Sequence, residues 1–356
     1  MAIARTETRY ELNRDALAEL LEDQPRYRID QLWKGLYEEG LSIDEISTLP
    51  KGLRSELGEL LPTALFDRVS RVSEGGETHK WLWGLADGDA VETVLMHYKD
   101  RSTVCVSSQA GCAMACGFCA TGQEGFRRHL STGEIVEQVI RAREAAKPRR
   151  LSNVVFMGMG EPLANYDAVW GAIRRIHADI GLSARHITMS TVGLIPGIRR
   201  MATEDLPVSL AVSLHAATNE LRTELVPINA RYPIDELADA CAQYVAASGR
   251  RLSFEWALIA GVNDTREQAV ALANLCQELR AHVNLIPLNP TPGYLTVGTD
   301  AEGVKRFQNW LLERNTNATI RRNRGTDIDA ACGQLRASQS SSTTSTVAAP
   351  TRRRQS

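Results

Sequence analysis

Three cysteines lie close together in the segment GCAMACGFCATG, as Cys112, Cys116 and Cys119. Their C-x3-C-x2-C spacing puts three thiolates on a short loop that contains glycine, where they can converge on one centre. A closed zinc site normally has a fourth Cys or His, often from paired C-x2-C clusters that this sequence lacks. A 4Fe-4S cluster held by three cysteines leaves one iron open to a further ligand. The spacing therefore predicts a catalytic iron–sulfur site, with three core or zinc-binding cysteines as the alternative.

Several further residues stand at or just after the carboxyl ends of predicted strands. They are Ser190, Ser213, Leu214, His215 and Asn289. Their small polar and amide groups can hydrogen-bond a ribose or a carboxylate. Taken singly, a capping or strand-end role explains each of them about as well. Because they share one position in successive strands, together they favour a ligand site.

The elements that must hold these residues are alternating strands and amphipathic helices from residue 103 onward. The predicted strands lie near 103–107, 152–157, 185–191, 207–214, 252–259 and 282–288. Repeated right-handed βα crossovers produce parallel strands whose ligands bind at their carboxyl ends. We therefore expect an α/β protein built on a partial barrel of six βα units.

Three other parts flank the predicted barrel. Residues 1–65 have the spacing of short helices, and residues 66–98 alternate like antiparallel strands separated by the turn-rich EGGE and ADGD. After Leu335 the sequence is too polar and too low in complexity to pack, which predicts a disordered tail over 336–356. The barrel with its C-terminal segment then occupies residues 99–335.

Composition limits the class of protein. The chain has 43% apolar and 24% charged residues, as a folded protein does, and its net charge of −2 does not suggest a partner. It has no long apolar run and no signal-peptide-like start, and an odd number of cysteines, seven, argues against a secreted disulfide framework. We expect a cytoplasmic protein without a membrane partner. Local arginine clusters could meet phosphates, although such pairs are usually solvated helix ends: Arg149–Arg150, Arg199–Arg200, Arg250–Arg251 and Arg321–Arg322 with Arg324.

The cysteine segment, with Phe118 before its third cysteine, resembles the C-x3-C-x-aromatic-C signature of radical S-adenosylmethionine (SAM) enzymes. The resemblance implies a 4Fe-4S cluster on the three cysteines, whose open iron binds the amino and carboxylate groups of SAM. Electron transfer from that cluster cleaves SAM to methionine and a 5′-deoxyadenosyl radical. The resemblance also implies that Gly160 and Glu161 bind the amino group of SAM and that the other strand-end residues complete its pocket.

Four segments resemble, in the same order, the RlmN family of dual-specificity RNA adenine-C2 methyltransferases. They are CVSSQAGCAMACGFCATGQEGFRRHL, MGMGEP, SLHAATNELRTELVPIN and RGTDIDAACGQL. The resemblance covers all but the serine-rich tail. It implies methylation of C2 of adenosine in 23S rRNA and in tRNA, there at the adenosine 3′ of the anticodon. We also expect an electron donor such as flavodoxin or ferredoxin, a monomer, and RNA recognition by residues 1–65.

The same resemblance assigns three catalytic residues, Cys332, Cys105 and Glu92. Adenine C2 is an sp2 carbon without a nucleophilic lone pair, so direct SN2 transfer from SAM is not available. Cys332 would instead accept a methyl group, which a radical activates for addition to C2. Glu92 would accept the proton from the adduct. Cys105 would then attack the Cys332 sulfur, releasing RNA and leaving a disulfide that must be reduced.

Two alternative functions remain open at this stage. An enzyme of the same fold that methylates C8 of the ribosomal adenosine would use the same two cysteines. A non-catalytic RNA-binding protein with structural zinc is the other. Without the resemblance, Cys332 and Cys105 would be small core residues and Glu92 a solvated strand carboxylate. Cys241 and Cys276 occupy apolar helical positions, which predicts that both belong to the core.

The cysteine spacing makes a direct prediction about iron content. Protein reconstituted anaerobically should be brown and hold about four irons per chain, and Cys112→Ala, Cys116→Ala and Cys119→Ala should each lose the cluster. Iron and acid-labile sulfide analysis measures both. A colourless protein with stoichiometric zinc would contradict the prediction.

Overall fold

The computed structural model describes residues 8–289, 291, 294, 297–321, 324–330 and 333–335. The strands in this part of the chain are β1 (Phe66–Val72), β2 (Thr78–Gly84), β3 (Ala90–His97), β4 (Ser102–Cys105), β5 (Gln109–Gly111), β6 (Phe126–His129), β7 (Leu151–Phe156), β8 (Ile187–Thr191), β9 (Ser209–Ser213), β10 (Ser253–Leu258), β11 (His282–Pro287) and β12 (Ala318–Ile320). All but β5 and β6 join one sheet, in the order β1-β2-β3-β4-β7-β8-β9-β10-β11-β12.

Helices connect and flank these strands. The α-helices are α1 (Arg14–Leu20), α2 (Tyr27–Trp33), α3 (Lys51–Leu60), α4 (Ala120–Glu124), α5 (Thr132–Ala146), α6 (Tyr166–Ala178), α7 (Ile195–Met201), α8 (Asn219–Leu225), α9 (Ile234–Ser248), α10 (Arg266–Leu279) and α11 (Ala301–Leu312). Among the described helices, none combines the length and the apolar character that a transmembrane span requires.

The sheet is mixed, and its pairing follows the sequence patterns. The pairs β1–β2, β2–β3 and β3–β4 are antiparallel. From β4 onward the sheet is parallel, through β7, β8, β9, β10, β11 and β12. The predicted alternation of strands and helices is therefore confirmed, including the antiparallel strands before it. Cys241 and Cys276 are buried in the core, as predicted.

The strand register sorts the side chains onto two faces of the sheet. Directly paired residues point to the same side, so Glu92, two residues before Val94, shares a face with Cys105, which pairs with Val94. The other face carries apolar residues such as Phe156 and Trp256, which are buried in the core. We call the first side the inner face, and along the sheet it carries Lys80, Glu92, Cys105, Val155, Thr188, Ser213, Glu255, Asn284 and Thr319.

The inner face is concave. Arg321 follows β12 and Met157 follows β7, five strand spacings apart, which in a flat sheet would be about 24 Å. Nevertheless Nη1 of Arg321 lies 3.8 Å from Sδ of Met157. The strands between them must therefore curve around the inner face, as the strands of an incomplete barrel do.

The N-terminal helices share the core of the rest of the chain. Trp33 donates its indole N–H to the Asp179 carboxylate, just after α6, at 3.1 Å, and Arg175 in α6 donates to the Tyr10 carbonyl. Buried apolar residues of α1 to α3 belong to the same cluster as those of the sheet. Removal of residues 1–65 would thus expose core surface, so the role of these residues is better tested by surface substitutions than by truncation.

Candidate active site

A cavity lies beside the three-cysteine loop, at the carboxyl ends of the parallel strands. It encloses about 1060 Å³ of space, counting the part open to solvent. Its lining includes most of the residues expected from the sequence, namely Cys112, Cys116, Cys119, Gly160, Glu161, Ser190, Ser213, His215 and Asn289. The fold therefore brings the cysteine motif and the strand-end residues to one place.

Within the loop, the three thiols lie close enough to influence one another. Burial raises the pKa of Cys112 to about 12, and the charges of Glu161 and Cys119 add to this effect. Burial, Cys119 and Cys112 also raise the pKa of Cys116. Cations bound to the thiols would reverse this tendency, because coordination deprotonates a thiol outright.

A donor set of three cysteines on one cavity fits a cluster with one open iron. Among the residues that the structure describes, no three His, Cys, Asp or Glu side chains are arranged to hold a metal ion. The convergence of Cys112, Cys116 and Cys119 on one cluster therefore stays a prediction.

Gly160 and Glu161 occupy positions that their residue types explain. Gly160 has a φ of 99°, and a Cβ there would lie 2.5 Å from Cβ of Gln109. The buried Glu161 carboxylate accepts hydrogen bonds from the N–H groups of Leu163 at 3.0 Å and Val192 at 2.9 Å. Burial raises the pKa of Glu161 to about 7, although these donors oppose the rise. A cationic amino group in the cavity would be a suitable partner, since it would stabilise the ionised form.

His215 is buried at the end of β9 with a φ of 60°, a left-handed conformation that is uncommon for residues other than glycine. Its Nδ1 accepts the N–H of Ala257 at 3.0 Å, and its carbonyl accepts the amide of Asn263 at 2.8 Å. Burial, with a smaller effect of Arg222, lowers the pKa of His215 to about 3. The ring is therefore neutral, and Nε2 carries its proton.

Leu214 departs from the sequence expectation. Its side chain is fully buried in the hydrophobic core and does not line the cavity, unlike its neighbours Ser213 and His215. Leu214 directly follows Ser213, the last residue of β9, so alternation turns its side chain away from the cavity, and His215 lies beyond the strand in a left-handed conformation. Only the backbone of Leu214 faces polar groups: its carbonyl accepts from Arg222 at 3.1 Å.

Arg222, in α8, is a site residue that the sequence did not single out. Its fully buried guanidinium donates to the carbonyls of Val192 at 2.6 Å and Leu214 at 3.1 Å, and to the Asn229 side chain at 2.9 Å. Burial lowers its pKa to about 10, so it remains a cation at neutral pH. This one side chain thus ties together the chain just after β8 and just after β9.

Cys105 and Glu92 share the inner face with the cavity residues. Cys105 ends β4, pairs with Val94 and is buried. Glu92 is 5% exposed, and its carboxylate lies 2.9 Å from the ammonium of Lys80, itself 8% exposed. The alternative of a solvated carboxylate at Glu92 is therefore wrong.

Residues 324–330 return from β12 to the antiparallel side of the sheet. Arg324 donates to the Glu77 carboxylate at 2.8 Å and to the His97 carbonyl at 2.9 Å. Lys80 donates to the Asp329 carbonyl at 3.0 Å, while also pairing with Glu92. Of the arginine cluster after β12, Arg321 lines the cavity and Arg324 is tied to β2 and β3, so these two are not simple surface contacts for phosphate.

Residues 333–335 contact the helix that follows the third cysteine. The Gly333 carbonyl accepts the N–H of Ala120 at 2.9 Å, and the Leu335 carbonyl accepts the hydroxyl of Thr121 at 2.6 Å. Gly333 and Leu335 also line the cavity. Cys332 lies outside the residues that the structure describes, so its role and its disulfide with Cys105 stay predictions.

Comparisons with known proteins show which proteins this chain is similar to. The Radical SAM superfamily pattern matches residues 106–275. A probable dual-specificity RNA methyltransferase RlmN of Frankia alni is 51% identical over 88% of this chain and 78% of its own length. RlmN proteins of Chloroflexus aurantiacus and Myxococcus xanthus are each 48% identical over 92% of this chain, covering 92% and 94% of their own lengths.

A solved structure is similar over nearly the whole chain. It is a radical SAM methyltransferase from Sphaerobacter thermophilus, 47% identical, with a TM-score of 0.91, covering 93% of this chain and all of the other. The α/β radical SAM fold follows from this likeness.

The role of Arg222 in holding the chain after β8 and β9 can be tested by comparing its replacement with that of a surface arginine. Arg222→Met should lower the free energy of unfolding by about 3 kcal/mol, because it leaves buried carbonyls without donors. It should also weaken SAM binding, since the chain after β8 and β9 is no longer held. Urea unfolding and equilibrium dialysis measure the two effects. Arg174→Met, which breaks the ion pairs of a half-exposed arginine with Asp205 and Glu204, is the control and should cost less than about 1 kcal/mol. Equal costs for the two variants would contradict the assignment.

Proposed function

The chain belongs to the RlmN family of dual-specificity RNA methyltransferases, and we propose that it methylates C2 of adenosine in 23S rRNA and in tRNA. In tRNA the substrate would be the adenosine 3′ of the anticodon. The observation that supports the proposal is that the three cysteines of the loop and strand-end residues such as Glu161 line one cavity, while Cys105 and Glu92 lie on the inner face, which also carries Ser213 of that cavity. Membership of the family supplies the reaction, a SAM-dependent methylation of RNA.

The cofactors would be held by residues already described. Cys112, Cys116 and Cys119 would hold the 4Fe-4S cluster, and the Glu161 carboxylate would bind the amino group of SAM. Ser190, Ser213, His215 and Asn289 would bind its remaining polar groups. When bound, cluster and SAM would supply the methyl group and the radical that an sp2 carbon without a nucleophilic lone pair requires.

The protein's own residues would divide the remaining steps. The Cys332 thiolate would accept the methyl group at Sγ, and that carbon would later join Cys332 to adenine C2. Glu92 would accept the proton that leaves the adduct, and the adduct would also give up one electron, for which the cluster would be the acceptor. The Cys105 thiolate would then attack Sγ of Cys332 and break the bond from that sulfur to the methylene carbon. That carbon would take up a proton and become the methyl group on C2, and the two cysteines would be left as a disulfide.

Three structural observations support this division of roles. Glu92 and Cys105 share the inner face of adjacent strands. Asp329, three residues before Cys332, is bonded through its carbonyl to Lys80, the partner of Glu92. Gly333, directly after Cys332, is bonded to the helix that follows the cysteine loop. Of the described residues that flank Cys332, Asp329 thus bonds near Glu92 and Gly333 bonds near the cluster loop.

Two kinds of reductant would be needed. The cluster requires a one-electron donor, such as flavodoxin or ferredoxin, and the disulfide must be reduced before the next turnover. Methylation at C8 by the same two cysteines is the rival reaction. The family assignment favours C2, because every relative reported above that carries a specific name is an RlmN protein.

The two cysteines outside the cluster should fail differently when each is replaced. Cys332→Ala lacks the methyl acceptor, so neither methylated protein nor methylated RNA should form. Cys105→Ala should still methylate Cys332 and add to adenine, and a covalent protein–RNA adduct should accumulate because nothing displaces the RNA. Denaturing electrophoresis with and without nuclease, followed by peptide mass spectrometry, measures the adduct.

The matched control is Cys276→Ala, because Cys276 is a buried core cysteine on α10. It should form methylated RNA without an adduct. Turnover of Cys105→Ala at the parent rate, with no adduct, would show that the two-thiol mechanism does not operate in this protein.

A further inference from the structure

Glu255 is a buried carboxylate in the cavity to which neither the sequence nor the proposed mechanism assigns a role. It lies in β10, pairs in register with Ser213 of β9 and Asn284 of β11, and is 4% exposed. It lines the same cavity as the three cysteines. Its neighbours on the inner face are polar, so the side chain belongs to the ligand side of the sheet and not to the apolar core.

Only one of the two carboxylate oxygens is satisfied. Oε1 of Glu255 accepts the side-chain amide of Asn284 at 2.8 Å. Oε2 accepts no hydrogen bond from any residue that the structure describes. Burial raises the pKa of the Glu255 carboxyl, against the opposing charge of Arg321. A buried acceptor without a donor is unfavourable, and a ligand that supplied the donor would remove that cost.

Arg321 stands beside the unsatisfied oxygen. It too lines the cavity, and its Nη1 lies 3.9 Å from Oε2 of Glu255, beyond hydrogen-bonding distance. A guanidinium carries five N–H donors in a planar fork, and that of Arg321 belongs to the lining of this cavity. The cavity thus presents a hydrogen-bond acceptor and a hydrogen-bond donor side by side.

An adenine ring has the complementary pattern. Its exocyclic N6 amine donates and the ring nitrogens next to it accept, whereas guanine presents an acceptor at O6. We propose that Glu255 and Arg321 bind the amino edge of an adenine ring, Glu255 by accepting from N6–H and Arg321 by donating to a ring nitrogen. This inference rests on the proposed function, in which two adenine rings use this cavity, that of SAM and that of the target adenosine.

The experiment compares Glu255→Gln with the parent, both reconstituted with iron, by binding and not by turnover. Glutamine keeps the size of the side chain but replaces one acceptor oxygen with a donor amide. One arm measures the Kd of SAM by equilibrium dialysis. The other measures the Kd of two 23S rRNA fragments, one with adenosine and one with purine riboside, which lacks N6, at the target position.

If the pair binds the RNA base, the parent should prefer the adenosine fragment by about tenfold, and Glu255→Gln should lose that preference while its Kd for SAM stays within about twofold. If it binds the cofactor, the Kd for SAM should rise by about tenfold and the preference between RNA fragments should not change. Unchanged values in both arms, or an equal loss of affinity for both RNA fragments alone, would overturn the inference.

Thr319→Ala is the matched control. Thr319 bonds Asn284 on the inner face but does not line the cavity, so both Kd values should stay within about twofold of the parent. If Glu255→Gln does not retain iron, Arg321→Gln replaces it. The adenosine and purine riboside fragments share the ring nitrogen to which Arg321 would donate, so this variant should bind both fragments about tenfold more weakly, or SAM about tenfold more weakly if the pair binds the cofactor. Unchanged Kd values of Arg321→Gln for SAM and for both fragments would overturn the inference. Failure of the proposed function would be seen separately, as a parent protein that does not methylate the adenosine fragment.

Discussion

A backbone hydrogen bond from the N–H of Ala120 to the carbonyl of Gly333 joins two parts of the chain that are more than two hundred residues apart. One is the loop of three cysteines, and the other is the segment that contains Cys332. The chemistry proposed for this protein depends on bringing these parts together, since a thiol that carries a methyl group is useful only beside the centre that activates it. Two further hydrogen bonds hold residues on either side of Cys332: Lys80 donates to the Asp329 carbonyl, and Thr121 donates to the Leu335 carbonyl.

The inner face shows how the sheet accommodates so many polar groups. Buried charges are tolerated where they are paired or hydrogen-bonded. On this face Lys80 pairs with Glu92, and elsewhere the buried Arg222 donates to the carbonyls of Val192 and Leu214. Glu161 receives backbone donors, but Glu255 keeps one oxygen without a partner among the described residues. A buried acceptor without a hydrogen-bond donor is expected at a cavity where the ligand supplies the missing donor.

Features set by neighbouring residues could be predicted from the sequence, whereas contacts between residues far apart in the chain could not. The cysteine spacing and the strand-end residues are local, so their position at one cavity could be predicted from repeated βα units. The side chain of Leu214 could not be placed from the motif SLH alone, because neighbours on a strand face opposite ways. Arg222, Lys80 and Glu255 could not be found this way, because what distinguishes them is burial against partners far away in the sequence. Arg222 does lie within the segment SLHAATNELRTELVPIN, which was a weak signal.

The central claim is that this concave face methylates adenosine at C2 in two kinds of RNA. Mass spectrometry of nucleosides from 23S rRNA and tRNA, in cells lacking the protein and in the same cells with it restored, tests the claim most directly. The account predicts that 2-methyladenosine disappears from both RNAs without the protein and returns with the parent chain but not with Cys332→Ala. Loss of 8-methyladenosine instead, or 2-methyladenosine that persists without the protein, would contradict it.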